Sequence, residues 1–278
     1  MTLLFALFLG LVQGIAEFLP VSSSGHLAIF HNFFGIEDYT QTDLFFDILL
    51  HFGTFIAICV AYRKDIWEMI RDFCAWVAGL FNKEKRKAVT PAQRLVLLIV
   101  VATLPLFVVL PLGDYIAVLY GTPWFIGLAL LVTAFLLLLT DHAPDGKKNE
   151  RSATVLDVLI VGAMQALATL PGLSRSGATI ATGTFRGFDR KFAVRFSFLL
   201  SIPAILGATA LKVVGAVKDG VDWGVMPVYL AGMIVAGVTG YLALCLLRFL
   251  TAKGSFRVFA YYCALIGVTT ILASMIVK

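Results

Sequence analysis

Two polar interruptions in an otherwise apolar chain carry the residues able to do chemistry. The first is Pro20-Val21-Ser22-Ser23-Ser24-Gly25-His26, preceded by Gln13 and Glu17. The second is Pro171-Gly172-Leu173-Ser174-Arg175-Ser176-Gly177, followed by Thr179. A spacing of four sets Gln13 and Glu17 on one helical face. An arginine among hydroxyls, at a glycine-rich break before a helix, suits a tetrahedral oxyanion. The guanidinium fork and the free N–H groups of a helix start both reach phosphate oxygens. A carboxylate beside phosphate is repelled unless protonated or bridged by a divalent cation, so Glu17 implies metal or acid–base work. A histidine titrates near neutrality, so His26 can relay a proton, and a hydroxyl near it can serve as nucleophile. If the interruptions meet, these groups form one site for phosphoryl chemistry on a lipid phosphate.

Blander readings stand beside this one. Ser and Thr in apolar helices often bond only to the carbonyl four residues back, which would account for Ser22, Ser174 and Thr179 singly. Glu17 and Arg175 could be a structural ion pair, and His26 a packing residue. Ionisable groups at membrane depth are costly, however, and are usually functional. Asp43, Asp47 and His51 recur every four residues; Asp43 reads as interfacial, Asp47 and His51 as partners for polar groups on the hairpins. Cys59, Cys74, Cys245 and Cys263 are scattered and read as small buried apolar residues, neither metal ligands nor disulfides.

The elements that must position these groups follow from the solvent. Of 278 residues, 60 % are hydrophobic and 14 % charged, against about 25 % charged in a soluble domain. Mean hydropathy is +0.93. The chain therefore belongs in lipid, as an all-α polytopic protein, and the N-terminus lacks the basic region of a cleavable signal peptide. Six stretches are long enough to span about 30 Å: 44–62, 95–112, 123–140, 192–213, 226–247 and 257–277. The interrupted regions 3–35 and 155–186 read as re-entrant hairpins, tolerated where protein or a wet cavity surrounds them.

The two hairpins are related. An offset of 152 matches Gln13 to Gln165, Ala16 to Ala168, Ser22 to Ser174, Ser24 to Ser176 and Gly25 to Gly177. An offset of 150 matches Phe46 to Phe196, Leu49 to Leu199 and Leu50 to Leu200. The pattern predicts two repeats, 1–141 and 155–278, each a hairpin plus three spans. Because three is odd, the second is inverted. This layout puts eighteen Lys and Arg on one side, in 63–94, 147–151, 186–195 and 248–257, against Lys212, Lys218 and Lys278 on the other. The basic side is then cytoplasmic and both termini lie outside. Within 63–94, Ile66, Trp67, Ile70, Phe73, Val77 and Leu80 recur at helical spacing, predicting a helix on the membrane surface. Topology thus accounts for the net charge of +5, and nucleic-acid binding is excluded as a reading.

At this point Gln13-Gly-Ile-Ala-Glu17-Phe-Leu-Pro-Val-Ser-Ser-Ser-Gly25-His26 resembles the first signature of the undecaprenyl-pyrophosphate phosphatase (bacitracin-resistance) family. Pro171-Gly-Leu-Ser-Arg175-Ser-Gly-Ala-Thr179 resembles the second. The likeness covers essentially the whole chain. It implies hydrolysis of undecaprenyl pyrophosphate to the monophosphate and inorganic phosphate in the bacterial inner membrane, recycling the carrier of cell-wall synthesis, with Mg²⁺ or Ca²⁺. By motif position Glu17 is the essential acid, His26 the imidazole and Ser23 the candidate nucleophile. Arg175 grips phosphate, helped by Ser22, Ser24, Ser174, Ser176, Gly177 and Thr179. Gln13 stands where many relatives have Glu, so Glu17 dominates any metal site, with Gln13 as its neighbour. The attacking group, Ser23, His26 or water, stays open, as does assembly into a homodimer. The resemblance implies a substrate released outside, hence a site opening to the outer face.

Two rivals were weighed. Inverted repeats with broken helices also build lipid or anion carriers. Another membrane lipid-phosphatase superfamily needs His six residues after its Arg and Asp four further on, where this chain has Ala181 and Phe185.

Overall fold

The computed structural model describes residues 1–33, 41–81, 88–219, 223–252 and 255–276, the side chains of 41–44, 80–81, 211–219 and 252 excepted. Asp43, Leu80, the bases between 82 and 87, Lys212, Lys218, Lys253 and Lys278 lie outside the described side chains.

The described residues form helices and no strand, with a single isolated parallel bridge between Lys148 and Phe188. The first interrupted region folds as α1 (Leu3–Phe18) and α2 (Ser23–Phe33). At 1.5 Å per residue α1 is about 24 Å long and α2 about 16 Å, both short of the apolar core. Next come α3 (Gln41–Ala61) and α4 (Arg63–Phe81), bent 80° from each other. The bend separates the apolar α3 from the amphipathic α4. Trp67, Ile70 and Phe73 form an exposed apolar edge on it.

The span read at 95–112 is longer and broken. It comprises α5 (Pro91–Thr103), α6 (Leu106–Val109), a 3₁₀ turn (Leu110–Leu112) and α7 (Gly113–Tyr120). Pro105 and Pro111 supply no N–H, which interrupts the helical ladder at both places. A reciprocal cap starts α5: Thr90 Oγ1 accepts from Gln93 N, and Gln93 Oε1 from Thr90 N. The first half ends with α8 (Pro123–His142).

The chain continues with five more helices among the described residues. It runs through α9 (Val155–Leu167), α10 (Arg175–Phe185), α11 (Arg190–Asp219), α12 (Met226–Ala252) and α13 (Arg257–Ile276). Among the described residues five helical stretches are long and apolar enough to cross a membrane, or six if the bent α3–α4 pair is one span. α9, about 20 Å long, is too short.

Packing explains how half-length helices stay at membrane depth. α1 lies along α12, where an added Cβ on Gly14 would strike Ala236 and Thr239, and one on Gly232 would strike Ala6 and Phe46. α8 and α13 touch backbone to backbone, with Gly127 and Gly267 each placed against the other's carbonyl. Small residues at such seams let helices approach where no hydrophobic force separates protein from lipid. α9 packs on α5 and α10, and α3 on α11 and α12. Outward faces are apolar, as at Phe135, Leu242 and Leu265. The four cysteines are free thiols, and Cys263 is the buried one.

The basic ends are tied together by ion pairs. Asp157, fully buried at the start of α9, accepts from Lys148 at 2.8 Å and from Arg186 at 2.8–2.9 Å. Arg195 pairs with Asp65 at 2.6 Å, joining α11 to α4.

Candidate active site

The tips of the two hairpins abut. A Cβ on Gly25 would come within 2.8 Å of Gly172 Cα, and one on Gly177 within 3.2 Å of Pro20 Cβ. A side chain at Gly25 would collide with the Gly172 backbone and one at Gly177 would crowd Pro20, so contact between the tips accounts for both glycines.

Each tip ends in a capped helix. Ser22 Oγ accepts from Gly25 N and Ser174 Oγ from Gly177 N, both at 3.2 Å. The starts of α2 and α10 thus present N–H groups to the space between them. That space is a small cleft, lined by Ala16, Glu17, Ser22, Ser23, Ser24, Ala168, Leu173, Ser174 and Arg175.

Glu17 is the hub. Its Oε2 accepts from Ser23 Oγ at 2.7 Å and from Gln13 Nε2 at 3.0 Å. Its Oε1 pairs with Arg175 from the opposite hairpin. Glu17 is 7 % exposed and the Arg175 side chain 20 %, so the pair keeps one edge open. A buried carboxylate is tolerable because every donor around it favours the charged form. The predicted convergence of Gln13, Glu17, Ser23 and Arg175 is therefore realised.

His26 stands differently. Its Nδ1 lies 2.8 Å from Ser22 O and its Nε2 2.8 Å from Tyr262 Oη, so both ring nitrogens are engaged away from Ser23. Thr179 and Ser176 lie behind the cleft. Thr179 Oγ1 bonds to Arg175 O at 2.8 Å and meets Ser197 Oγ at 2.6 Å, while Ser176 Oγ meets Ser174 Oγ at 3.3 Å. Ser24 lines the cleft, with its Oγ 3.5 Å from Ser22 Oγ.

Other neighbours come from distant elements. His51 Nδ1 accepts from Gln13 Nε2 at 3.0 Å and lies 3.7 Å from Glu17, in keeping with its reading as a partner for hairpin polar groups. Thr133 of α8 accepts from Ser174 N at 3.0 Å and donates to Gly172 O at 3.2 Å. Tyr262, Thr133 and Ser197 were not singled out from sequence. A lone Tyr or Thr in an apolar helix gives no periodic signal.

Comparison with known proteins covers nearly the full chain. The family described as bacitracin resistance protein BacA matches residues 6–269. A protein of Methanosphaera stadtmanae named undecaprenyl-diphosphatase is 39 % identical over 281 residues, covering 99 % of each chain. Bearers of the same name in Alkaliphilus metalliredigens and Desulforapulum autotrophicum are 37 % and 40 % identical, over 99 % and 96 % of this chain and 100 % and 97 % of theirs. The match takes in both hairpins and every helix between them, so this chain belongs to the bacitracin resistance protein BacA family.

Proposed function

We propose that the chain hydrolyses undecaprenyl diphosphate to undecaprenyl phosphate and inorganic phosphate at the meeting point of its hairpins. The observation that carries this reading is Glu17, which holds Ser23 from its own hairpin and Arg175 from the other. A carrier needs a polar binding site; it has no use for a hydroxyl already bonded to a carboxylate base.

In the mechanism that the geometry supports, the diphosphate enters the cleft and the Arg175 guanidinium transfers from Glu17 to the phosphate oxygens. The N–H groups at the starts of α2 and α10 add to the anion cradle, with the hydroxyls of Ser22, Ser24 and Ser174 beside them. Released from Arg175, Glu17 becomes the stronger base and takes the Ser23 proton as Oγ attacks the terminal phosphorus. The bond to the bridging oxygen breaks and undecaprenyl phosphate leaves. Glu17 passes the Ser23 proton to the departing phosphate; water then attacks the phosphoserine, giving its proton to Glu17, which returns it to Ser23 Oγ as inorganic phosphate leaves.

A divalent cation fits the residues present. Gln13 Oε1 is buried and has no partner, an unused oxygen donor beside Glu17. Among the described residues no three His, Cys, Asp or Glu side chains gather to cage a metal. Mg²⁺ is commonly held by one or two carboxylates plus substrate phosphates, and Glu17 with Gln13 matches that arrangement. When bound, such an ion neutralises diphosphate charge and polarises the phosphoryl group.

The inverted repeat is part of this reading. Gly25 meets Gly172 while Gly177 meets Pro20, and each residue of one contact is the 152-offset counterpart of one in the other. Gly10 faces Gly232 of α12, and Gly162, again 152 residues on, faces Ala102 of α5. This exchange favours halves 1–141 and 155–278 related by a pseudo-two-fold axis near the α8–α13 seam. With the basic ends facing the cytoplasm, the protein sits in the inner membrane and its site opens outward.

The purified protein in detergent is expected to release phosphate from undecaprenyl diphosphate. EDTA is expected to abolish release, and Mg²⁺ or Ca²⁺ to restore it. A carrier would release none under any of these conditions.

A further inference from the structure

Ser22 is the one described non-glycine residue with a left-handed backbone, at φ 69°. For an L-residue that conformation costs roughly 1–2 kcal/mol and persists where surrounding contacts over-determine it. Its repeat counterpart provides an internal control. Ser174 does the same capping job at φ −69°, so the cap itself does not need the strain. What the strained turn does is begin α2 at Ser23 and set that hydroxyl on Glu17.

The contacts that hold the turn converge on His26. Its backbone N–H donates to Ser22 O at 3.2 Å, and its ring Nδ1 lies 2.8 Å from the same oxygen. A carbonyl only accepts, so Nδ1 carries the proton. In the neutral ring Nε2 is then an acceptor, and its partner at 2.8 Å, Tyr262 Oη, is the donor. The two rings are also parallel, 6° apart in tilt with centroids at 5.5 Å. The second tip has Ala178 where His26 stands; its N–H makes the same bond to Ser174 O, at 2.8 Å, and it has no ring to add a second.

Tyr262 is more than filler for a core. It is 40 % exposed, so its place on α13 is not dictated by burial. The next residue docks on the same tip, with Cys263 Sγ 3.6 Å from Pro20 O. The last helix of the chain thus grips the first hairpin at two successive positions.

We propose that Tyr262 is a positioning residue for the reaction. Its hydroxyl fixes His26 in the Nδ1-protonated form, and His26 in turn locks the left-handed Ser22 turn that delivers Ser23 to Glu17. His26 then acts through the tip backbone and not as the proton carrier for Ser23. The inference deepens the phosphatase reading and rests on it for its kinetic consequence, though its tautomer prediction stands apart from turnover.

Nitrogen-15 NMR of histidine-labelled protein in detergent tests it, with the His26 signals assigned by their loss in His26→Gln. Wild type is expected to show His26 protonated at Nδ1 with a hydrogen-bonded, unprotonated Nε2. A ring protonated at Nε2 alone would overturn the proposal. Tyr262→Phe keeps the stacked ring and removes the donor. It is expected to move the Nε2 resonance toward that of an unbonded nitrogen. It is also expected to lower kcat by about 3- to 10-fold, the worth of one hydrogen bond, with KM within about twofold. An unchanged Nε2 resonance with unchanged kcat would refute it. If Tyr262→Phe fails to fold, the wild-type spectrum still decides. A wild type with the expected spectrum and no phosphate release would instead count against the phosphatase reading alone.

Discussion

At the scale of single residues, the account makes Ser23 and Glu17 one unit, joined by a 2.7 Å hydrogen bond inside the cleft. Loss of the nucleophile leaves the cradle intact and removes the covalent route. Ser23→Ala is therefore expected to lower kcat by about a hundred- to ten-thousandfold with little change in KM. Acid quench of wild type during turnover should yield phosphoserine at position 23, detected by mass spectrometry. Full activity in Ser23→Ala would transfer the attack to water. Much of this cluster was legible beforehand, because Gln13 and Glu17 one turn apart and Arg175 between two serines are conspicuous in apolar surroundings. The pairing within the cluster was not. Sequence spacing places Ser23 and His26 close on one helix start, yet the hydroxyl turns to Glu17 and the imidazole to Tyr262, which lies 236 residues away. Such partners are set by how distant helices pack, and no local pattern encodes them.

At the scale of elements, the helices that meet at the tips are short, and the tips come too close for a side chain at Gly25. Gly25→Val is the matching test. Its Cβ would press on the Gly172 backbone at 2.8 Å, where no flexible side chain can yield. Overpacking of this kind costs about 1–3 kcal/mol. The variant is expected to melt lower than wild type and to lose activity, whereas Gly207→Val, on α11 in open space, should do neither. Equal stability and turnover for Gly25→Val would mean that the tips do not meet as described. The two broken apolar regions, most of the long apolar helices and the amphipathic helix α4 could be read from hydropathy and Gly/Pro placement. The breaks within Pro91–Tyr120 could not, although Pro105 and Pro111 were visible. A proline can kink or end a helix, and tertiary support chooses between those outcomes.

At the scale of the whole molecule, two halves of one chain each supply what the other lacks. The first half brings Glu17 and Ser23, the second Arg175, while Thr133 of α8 holds the second tip and Cys263 of α13 the first. Orientation is testable without activity. In a cysteine-free background, a thiol placed at Lys147 is expected to react with an impermeant maleimide only in inside-out vesicles, and one at Thr2 only in intact cells. The reverse pattern would invert the topology. The fixed 152-residue offset is visible in the sequence, but the contacts of Gly25 with Gly172 and of Gly177 with Pro20 are not, because they depend on pairings far beyond any local window. The central claim is that these two tips form one diphosphatase site. It is met most directly by phosphate release from undecaprenyl diphosphate, measured for folded wild type, Glu17→Gln and Arg175→Ala in parallel. The account predicts steady release by wild type and at least about a hundredfold loss in each variant; wild-type turnover in both would contradict it.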